Sequence, residues 1–319
     1  MKNFPRASIA VPLYNSDRYI RECLDSLLAQ ECTFPFEIIV SDDGSTDGSR
    51  DILREYAGRY PGVIVPVYNE KNLGVIGNFC SGIQHARGQY LAFCDNDDFW
   101  NDPKKLQKQV DLLEKNPLAV LVYADNRILH EMTGKITESI RREKELTTKT
   151  GRVFEDLMND LSIGPVTVCA RTAAVKDAVH EIKLADRQEW KTPDYPLWLA
   201  LALKGDFLYI DEPLATYRNR GESVSVSSDK AKRAAFKYGT WKIREYFLSK
   251  GEVSPEVREK VLEIGGDRTV LHFFYSRDYD ELRRFVKNKE ELKIRSRRAK
   301  MIKKCAFSDF LLDFFMLVF

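Results

Sequence analysis

A regular alternation of strand and helix patterns over the first 123 residues is the feature that most constrains the fold. Short apolar segments of strand length recur, and the residues between them have apolar positions at helical spacing. The strand patterns lie at 8–14, 36–40, 63–68, 90–94 and 119–123. This alternation predicts an α/β fold with a mostly parallel sheet that is covered by helices on both faces.

The pattern changes along the second half of the chain. Residues 127–150 are rich in charge and predict an irregular excursion, and the polar stretch 217–228 predicts a loop. Between them the sequence predicts strands at 166–170 and 207–210 and an apolar helix at 197–203. From Asp229 onward the patterns are helical, with predicted helices at 230–248, from Ser254 and at 280–289. We therefore expect an α/β domain at 1–228 and a C-terminal helical region at 229–319.

Composition and charge indicate a soluble globular protein. The 319 residues are 44% apolar and 31% charged, and the net charge of +2 gives no support for nucleic acid as a partner. Six scattered cysteines form no CxxC pair, which is typical of buried thiols in a reducing compartment. Neither a signal peptide nor the ~20 apolar residues of a spanning helix is visible. The expected location is the cytoplasm.

The strand pattern at 90–94 ends abruptly at three carboxylates, Asp95, Asp97 and Asp98. Carboxylates this close repel one another, so their ionised forms need a counter-charge. A divalent cation with oxygen ligands is the usual one, and it in turn holds phosphates. Ligand crevices of open parallel sheets lie at the carboxyl ends of strands, where this cluster falls. A solvated turn is the alternative interpretation.

A second acidic pair, Asp42 and Asp43, follows the strand pattern at 36–40. Asp, Gly, Ser and Thr all favour turns and helix caps, so 42–47 by itself is typical of a turn that caps a helix. The later acidic cluster at another strand end favours one shared crevice for both.

Several short motifs follow one another in a characteristic order. They are Val11-Pro12-Leu13-Tyr14-Asn15, Asp42-Asp43-Gly44-Ser45-Thr46-Asp47, Asn72-Leu73-Gly74 with Asn78, Gly88-Gln89-Tyr90, and Asp95-Asn96-Asp97-Asp98 with Trp100. In this order and spacing they resemble family 2 glycosyltransferases of the GT-A fold, whose sheet is Rossmann-like. The resemblance is dense over about the first 120 residues and thinner to about residue 228.

The resemblance implies which residues contact a nucleotide-sugar donor. The strand end with Pro12, Tyr14 and Asn15, together with Asp42 and Asp43, resembles the contacts to the base and the ribose. A carboxylate can accept a hydrogen bond from the N3–H of uracil or thymine, which suits that role. The resemblance also implies that Asn72, Gly74 and Asn78 shape the floor near the sugar, although a loop and helix cap explains them equally well.

The Asp95-Asn96-Asp97 triplet resembles the metal motif of the family, with Asp98 as an extension and Asn96 among the donor contacts. The implied cofactor is Mg²⁺ or Mn²⁺, which would bridge the donor diphosphate and stabilise the charge that grows on the leaving group. Trp100 is expected to be a packing residue.

Inverting members need a general base that takes the proton from the acceptor hydroxyl. In the family this acid precedes an apolar helix, usually as Glu-Asp followed by Leu-Trp, so the resemblance assigns the role to Asp194. The sequence departs from the family at Pro193, where Glu is usual, and at Ala200, where Arg is frequent. A helix N-cap is a compatible alternative role for Asp194, and Asp186 and Glu189 are lower-ranked candidates for the base.

Tyr217-Arg218-Asn219-Arg220, followed by Ser223 and Ser225, resembles the Tyr-Arg-x-His loop of the family, with Arg220 at the His position. Arg218 and Arg220 are therefore expected donor contacts that can close on a diphosphate by bidentate hydrogen bonds. A solvated surface charge is the alternative for the loop arginine.

The C-terminal end combines a basic segment, 293–304, with an apolar one, 310–319. The apolar segment is too short to span a bilayer. The pair suits peripheral contact with an anionic membrane, in which case a lipid-linked glycan is a natural acceptor. A last helix that packs on the domain and a dimer contact are the alternatives.

The family resemblance implies a metal-dependent inverting glycosyltransferase. It would move a sugar from a UDP- or dTDP-sugar to a hydroxyl of a glycan or lipid-linked glycan, in surface polysaccharide synthesis. A non-catalytic nucleotide-sugar-binding or scaffold protein is the alternative. A sugar nucleotidyltransferase would carry a Gly-rich loop after the first strand, and 11–15 has no glycine.

Overall fold

The computed structural model describes residues 4–159, 161–187, 189–221, 228–288, 294 and 296–318. The chain divides into two compact units. Unit 1 comprises residues 1–188 and 192–221, and unit 2 comprises residues 189–191 and 222–319. Unit 1 contains the sheet, and the regular structure described in unit 2 is helical.

The strands of unit 1 form one sheet in the order β3-β2-β1-β4-β8-β6-β9-β5, with β7 paired to β6. They are β1 (Ala7–Leu13), β2 (Phe36–Asp42), β3 (Ile64–Tyr68), β4 (Tyr90–Phe93), β5 (Phe99–Trp100), β6 (Ala119–His130), β7 (Lys135–Thr137), β8 (Cys169–Arg171) and β9 (Asp206–Asn219). Strands β3, β2, β1 and β4 are parallel, as are β6 and β9. β8 runs antiparallel to β4 and β6, and β5 to β9. The prediction of a mostly parallel α/β sheet is confirmed.

The helices of unit 1 alternate with the strands in the first half of the chain, as predicted. They are α1 (Ile20–Leu28), α2 (Ser49–Arg59), α3 (Gly74–His85), α4 (Lys105–Lys115), α5 (Ile140–Glu143), α6 (Phe154–Asn159), α7 (Thr172–Glu181) and α8 (Asp194–Ala202), with short 3₁₀ turns at Pro165–Thr167 and Leu184–Asp186. On α1 the buried residues recur at helical spacing, at Ile20, Cys23, Leu24 and Leu27. Helix α8 buries Pro196 to Ala202 without a break, which explains its uniformly apolar sequence.

Two predictions for the second half were wrong. The supposed irregular excursion 127–150 contains the end of β6, then β7 and α5, and residues 217–219 belong to β9 rather than to a loop. β6 and β9 pair as far as His130 and Asn219. Partners so distant in sequence stabilise each other as strands, although their polar composition is typical of loops.

Unit 2 consists of α9 (Lys230–Phe247), α10 (Pro255–Tyr275), α11 (Tyr279–Asn288), α12 (Arg297–Cys305) and α13 (Asp309–Val318). Ser254 caps α10 through a hydrogen bond from the N–H of Val257, as its position before Pro255 predicts. The four helices after α9 share an apolar cluster of Val270, Phe274, Leu282, Ala299, Ile302, Ala306 and Leu312.

The C-terminal segments predicted to contact a membrane form α12 and α13. Ala299 and Ile302 of α12 are buried in the cluster, whereas the basic Arg297, Arg298 and Lys300 are exposed. Lys293, Arg295 and Phe319 lie outside the described residues. Among the helices that the structure describes, none combines the length and the apolar character needed to cross a bilayer.

A polar network fastens the amino ends of β1, β2 and β4. The buried carboxylate of Glu37 accepts hydrogen bonds from the Ser8 hydroxyl (2.7 Å) and from the backbone N–H and Nε of Arg87 (2.9 and 2.7 Å). The Ser8 hydroxyl also accepts the N–H of Gly88 at 2.9 Å. A Cβ at Gly88 would lie 2.5 Å from the carbonyl carbon of Ala7, so only glycine fits this approach.

A buried lysine on α4 packs against Trp100. Lys105 is fully buried, with Nζ 3.8 Å from the ring centre of the buried Trp100 and 2.7 Å from Oε1 of Gln109. Burial lowers the pKa of Lys105 from 10.5 to about 8. Trp100 is thus a packing residue in this structure.

We predict that the buried charge of Lys105 makes folding stability depend on pH. Below pH 8 the folded state bears the full cost of the buried ammonium. Above it the folded lysine loses its proton before the unfolded one does, so wild-type stability rises towards pH 10.5. Relative to Lys105→Met, the wild type should gain about 2–3 kcal/mol in unfolding free energy between pH 7 and 10.5, measured by urea denaturation.

Lys115→Met is the matched control, because Lys115 is exposed on the same helix. Its stability difference from wild type should be independent of pH over this range. An equally flat profile for Lys105→Met would contradict the prediction.

Candidate active site

The acidic turn follows β4 directly at the carboxyl edge of the sheet. The turn comprises residues 95–98, and the backbone N–H of Asp98 donates to the carbonyl of Asp95 (3.0 Å), which closes it. The Asp98 side chain is buried, whereas those of Asp95 and Asp97 are half-buried. The turn therefore presents two accessible carboxylates and one that is enclosed.

Arg218, near the end of β9, clamps this turn. Its backbone N–H donates to Oδ1 of Asp98 (2.8 Å), and its Nε donates to the carbonyl of Asp97 (2.9 Å). Nη2 pairs with Glu22 of α1 at 2.5 Å, and the guanidinium lies 5.1 Å from the ring centre of Tyr19. The side chain is only 8% exposed. Arg218 thus joins β9, the acidic turn and α1 through one planar cation.

Arg220 is the second cation at the turn. Its Nε lies 3.0 Å from Oδ2 of Asp97, and its guanidinium lies over the Tyr19 ring at 5.5 Å. The Arg220 side chain is 41% exposed, so solvent reaches this ion pair. The structure brings Arg220 to the acidic cluster, and Ser223 and Ser225 of the same predicted loop lie outside the described residues.

Asp194 is the first residue of α8. The Thr192 hydroxyl donates to its Oδ1, and the backbone N–H of Tyr195 also donates to the carboxylate. Asp194 does not act as the N-cap, since Pro193 holds that position. Burial raises the pKa of Asp194, and hydrogen bonds from Thr192, from the Tyr195 N–H and from the N–H of Asp194 itself oppose that effect. The result is a carboxylate that is a stronger base than an exposed aspartate.

Burial, together with repulsion among the carboxylates, governs the electrostatics of the site. Burial, followed by the charges of Asp97 and Asp194, raises the pKa of Asp95 to about 7. Burial and the charges of Asp95 and Asp97 raise the pKa of Asp98, against the opposing effect of Arg218. The structure therefore brings Asp194 within electrostatic range of the acidic turn, although about 100 residues separate them in sequence.

The end of β1 is tied to the ends of β2 and β4 by two asparagines. Asn15 adopts a left-handed backbone (φ 46°), and its Oδ1 accepts the N–H of Thr46 at 2.8 Å. The side-chain amide of Asn96 donates to the carbonyl of Pro12 at 2.7 Å. Tyr14, between these contacts, is 48% exposed. These residues line one edge of the sheet, as the sequence predicted for a shared crevice.

Asp42 and Asp43 are both buried and already engaged. Asp42 accepts from Nε of Arg50 (2.7 Å) and from the N–H of Ser45 (3.2 Å). Asp43 accepts from the N–H groups of Leu73 and Gly74 at 2.8 and 3.0 Å. Both carboxylates therefore organise the loops of the crevice in this structure.

The residues of the predicted sugar floor have structural partners too. Asn72 accepts the N–H of Gly74 (2.9 Å), and Gly74 itself has a φ of 74° at the start of α3. Asn78 donates to the carbonyl of Leu13 (3.3 Å) and accepts from Asn69 (3.0 Å). The loop-and-cap alternative thus describes their contacts, and any role near a sugar stays a prediction.

The negative charge of the acidic cluster favours a bound cation. The charges of Asp97 and Asp194 act on Asp95, and those of Asp95 and Asp97 act on Asp98. Arg218 and Arg220 contact the turn as cations. Within the described ranges, however, no three His, Cys, Asp or Glu side chains are arranged to hold a metal ion among themselves. A cation here would therefore need oxygen ligands from a bound phosphate as well.

The glycosyl transferase family 2 model matches residues 8–193, which is more than half of the chain. The chain belongs to glycosyltransferase family 2. The family predicted from the order of the motifs is confirmed, and the predicted enzyme class agrees with it. The matched region covers the acidic turn and ends one residue before Asp194.

Curated relatives support the same family. A putative teichuronic acid biosynthesis glycosyltransferase of Bacillus subtilis, TuaG, is 30% identical over 73% of this chain and 87% of its own length. An uncharacterized protein of Mycobacterium tuberculosis is 33% identical over 70% of this chain. The chain spans 62% of the length of that mycobacterial relative.

Solved structures share the fold. TarS of S. aureus (residues 1–349), in complex with UDP-GlcNAc, superposes with a TM-score of 0.61 at 21% identity, over 96% of this chain and 80% of that one. The mannosyltransferase PcManGT of Pyrobaculum calidifontis, in complex with GDP-Man and Mn²⁺, gives a TM-score of 0.57 at 16% identity, over 97% and 81%. The predicted GT-A fold is confirmed.

Sequence reasoning missed Glu22, Tyr19 and Arg50 at this edge of the sheet. Glu22 is exposed on the first turn of α1, and Tyr19 is the half-buried residue that precedes this helix. Arg50 is partly exposed on α2 and forms an ion pair with the buried Asp42. Only the approach of distant elements reveals these contacts, so no local signal could have found the first two. The eight residues that separate Asp42, in β2, from Arg50, in α2, do not indicate this pair either.

We predict that Arg218→Lys destabilises unit 1. Lysine cannot reproduce the fork that reaches the Asp97 carbonyl and Glu22 together, so the unfolding free energy should fall by about 2–4 kcal/mol. The measurement is chemical denaturation followed by circular dichroism.

The matched control is Arg21→Lys, which alters the exposed ion pair between Arg21 of α1 and Glu55 of α2. It should lower the unfolding free energy by less than about 1 kcal/mol. Equal stability losses in the two variants would refute the clamp.

Proposed function

We propose that this protein is an inverting glycosyltransferase that moves a sugar from a nucleoside-diphosphate sugar to a hydroxyl of a glycan. The observation that carries the proposal is the family 2 match over residues 8–193, which includes the acidic turn at the end of β4. The charge of Asp194 also acts on Asp95 of that turn. Transfer with inversion needs a base on one side of the sugar and stabilisation of the departing diphosphate on the other. Asp194 and the acidic turn supply these two functions within one crevice.

The crevice at the ends of β1, β2 and β4 is the proposed donor site. The exposed ring of Tyr14 offers a surface for the nucleotide, and Asn15 and Asn96 hold the surrounding loops in place. Asp42 and Asp43 are buried and hold the loops of this site in place, and a hydrogen bond from an imino N–H of the base to either carboxylate stays a proposal. TarS and PcManGT were solved with UDP-GlcNAc and GDP-Man respectively, which supports a nucleotide-sugar donor.

The metal is proposed to bind between the acidic turn and the donor diphosphate. Asp97 and Asp95 are the proposed ligands, because their carboxylates are the accessible ones. Asp98 is the least available of the three predicted ligands, since Oδ1 accepts the Arg218 N–H. A bound Mg²⁺ or Mn²⁺ would neutralise these carboxylates and stabilise negative charge on the leaving diphosphate.

Arg220 is proposed to change partners when the donor binds. In this structure its guanidinium neutralises Asp97. Once Asp97 is engaged by a cation, Arg220 becomes available to donate to the diphosphate oxygens, for which its planar fork is suited. Arg218 stays in place, because its contacts hold the turn itself.

Asp194 is proposed to take the proton from the acceptor hydroxyl as that oxygen attacks the anomeric carbon. The Thr192 hydroxyl and the Tyr195 N–H orient the carboxylate at the start of α8. Its raised pKa makes it a better proton acceptor than an exposed aspartate. The acceptor is proposed to be a glycan or lipid-linked glycan of a surface polysaccharide, in keeping with the name of TuaG. Membrane contact through α12 also stays a proposal.

We predict metal-dependent release of a nucleoside diphosphate from one member of a panel of UDP-, dTDP- and GDP-sugars. Release should require Mg²⁺ or Mn²⁺ and fall by about 100-fold or more in Asp97→Ala, since that variant loses a proposed ligand. Coupled detection of the released nucleotide measures it, with Asp51→Ala on the surface of α2 as control. Release that survives both chelator and Asp97→Ala would overturn the metal assignment.

We predict that Asp194→Asn lowers kcat by about 10²–10⁴-fold and leaves the Kd for the donor within about twofold, because the amide cannot accept the proton. Asp186→Asn is the matched comparison, as Asp186 lies in the 3₁₀ turn before α8 and was a lower-ranked candidate. Donor binding by calorimetry and transfer to the acceptor are measured separately. A large loss of kcat in Asp186→Asn alone would reassign the base.

A further inference from the structure

Unit 2 contains a cavity of about 210 Å³ between α9 and α10 that the proposed transfer does not use. Lys237, Trp241 and Arg244 line it from α9, where spacings of four and three residues place them on one face. Ile264 and Arg268 line it from α10 at a spacing of four. Both helices therefore present cationic side chains to the same cavity.

The cations of this cavity repel one another. Partial desolvation lowers the pKa of Lys237, and the charges of Arg268 and Arg233 lower it further. Burial and the charge of Arg244 lower the pKa of Arg268, with Asp267 as the opposing charge. Oδ2 of Asp267 accepts the backbone N–H of Ser296 at 2.9 Å, so this acid is partly engaged elsewhere. An anion in the cavity would relieve the repulsion.

Trp241 supplies a second, independent observation. The indole is 7% exposed, and its Nε1–H has no hydrogen-bond partner within the described part of the chain. A Cβ at Gly265 would lie 2.3 Å from Nε1, so α10 approaches the indole closely because this residue is glycine. The indole of Trp241 lines the cavity, and a buried N–H donor without a partner costs free energy.

We propose that this cavity binds the phosphate or carboxylate of an acidic sugar. Arg268, Lys237 and Arg244 would donate charge-assisted hydrogen bonds to its oxygens. Phe236 and Trp241 supply apolar surface for the ring face. The volume is below the ~300–1,000 Å³ of sites that hold drug-sized ligands, so one sugar residue is a suitable occupant. The source is either an acidic glycan chain or a free acidic sugar.

The test is isothermal titration calorimetry on the full chain with galacturonate, glucose 1-phosphate and neutral galactose. We expect both anions to bind and galactose not to bind. Arg268→Gln should weaken anion binding by about tenfold or more. Arg284→Gln is the matched control, because it removes one positive charge from an exposed pair on α11 and should leave binding unchanged.

Two further variants locate the site. Asp97→Ala should retain anion binding, which separates this cavity from the donor site. Lys237→Gln should also weaken anion binding. Because Lys237 is exposed, this variant replaces Arg268→Gln in the test if Arg268→Gln lowers the melting temperature. If trigalacturonate binds more tightly than galacturonate, the ligand is part of an acidic glycan chain. If the two affinities are equal, the ligand is a free acidic sugar. Anions that bind no better than galactose, or equal losses in Arg268→Gln and Arg284→Gln, would overturn the proposal.

Discussion

The contact of Arg218 with the acidic turn is the interaction on which the arrangement of this edge of the sheet depends. One side chain and its own backbone N–H reach Asp97, Asp98 and Glu22, so β9 and α1 are held against the end of β4. Several carboxylates can crowd together there because this cation is nearly buried and its charge is little screened. Asp95 and Asp97 are half-buried beside this contact, whereas Asp98 is enclosed.

The fold was predictable where strand and helix alternate locally. From β1 to β4 each element has its own hydrophobic pattern, and the parallel order follows from the helices between strands. The prediction failed where strands depend on remote partners. β5 and β7 have two and three residues, too few for a period, and the polar end of β9 becomes a strand only through its pairing with β6.

The site was predictable where acidic residues end a strand, because such clusters are costly without a counter-charge. Asp95, Asp97 and Asp98 lie as expected at the edge of the sheet, and Asp194 lies within range of them. The identity of the counter-charges was harder to foresee. Arg218 lies about 120 residues from the turn, and Glu22 lies on a helix face that has an ordinary surface pattern. Their roles arise only when β9 and α1 approach β4.

The network of Ser8, Glu37 and Arg87 has a consequence for how such a protein can diversify. It fastens β1, β2 and β4 at their amino ends, opposite the edge that carries the acidic turn. The network that holds the sheet together and the proposed donor site therefore lie at different ends of the same strands. Substitutions at the carboxyl ends of these strands leave the contacts at the amino ends intact. Ligand preference can therefore change in evolution while the sheet keeps these stabilising contacts.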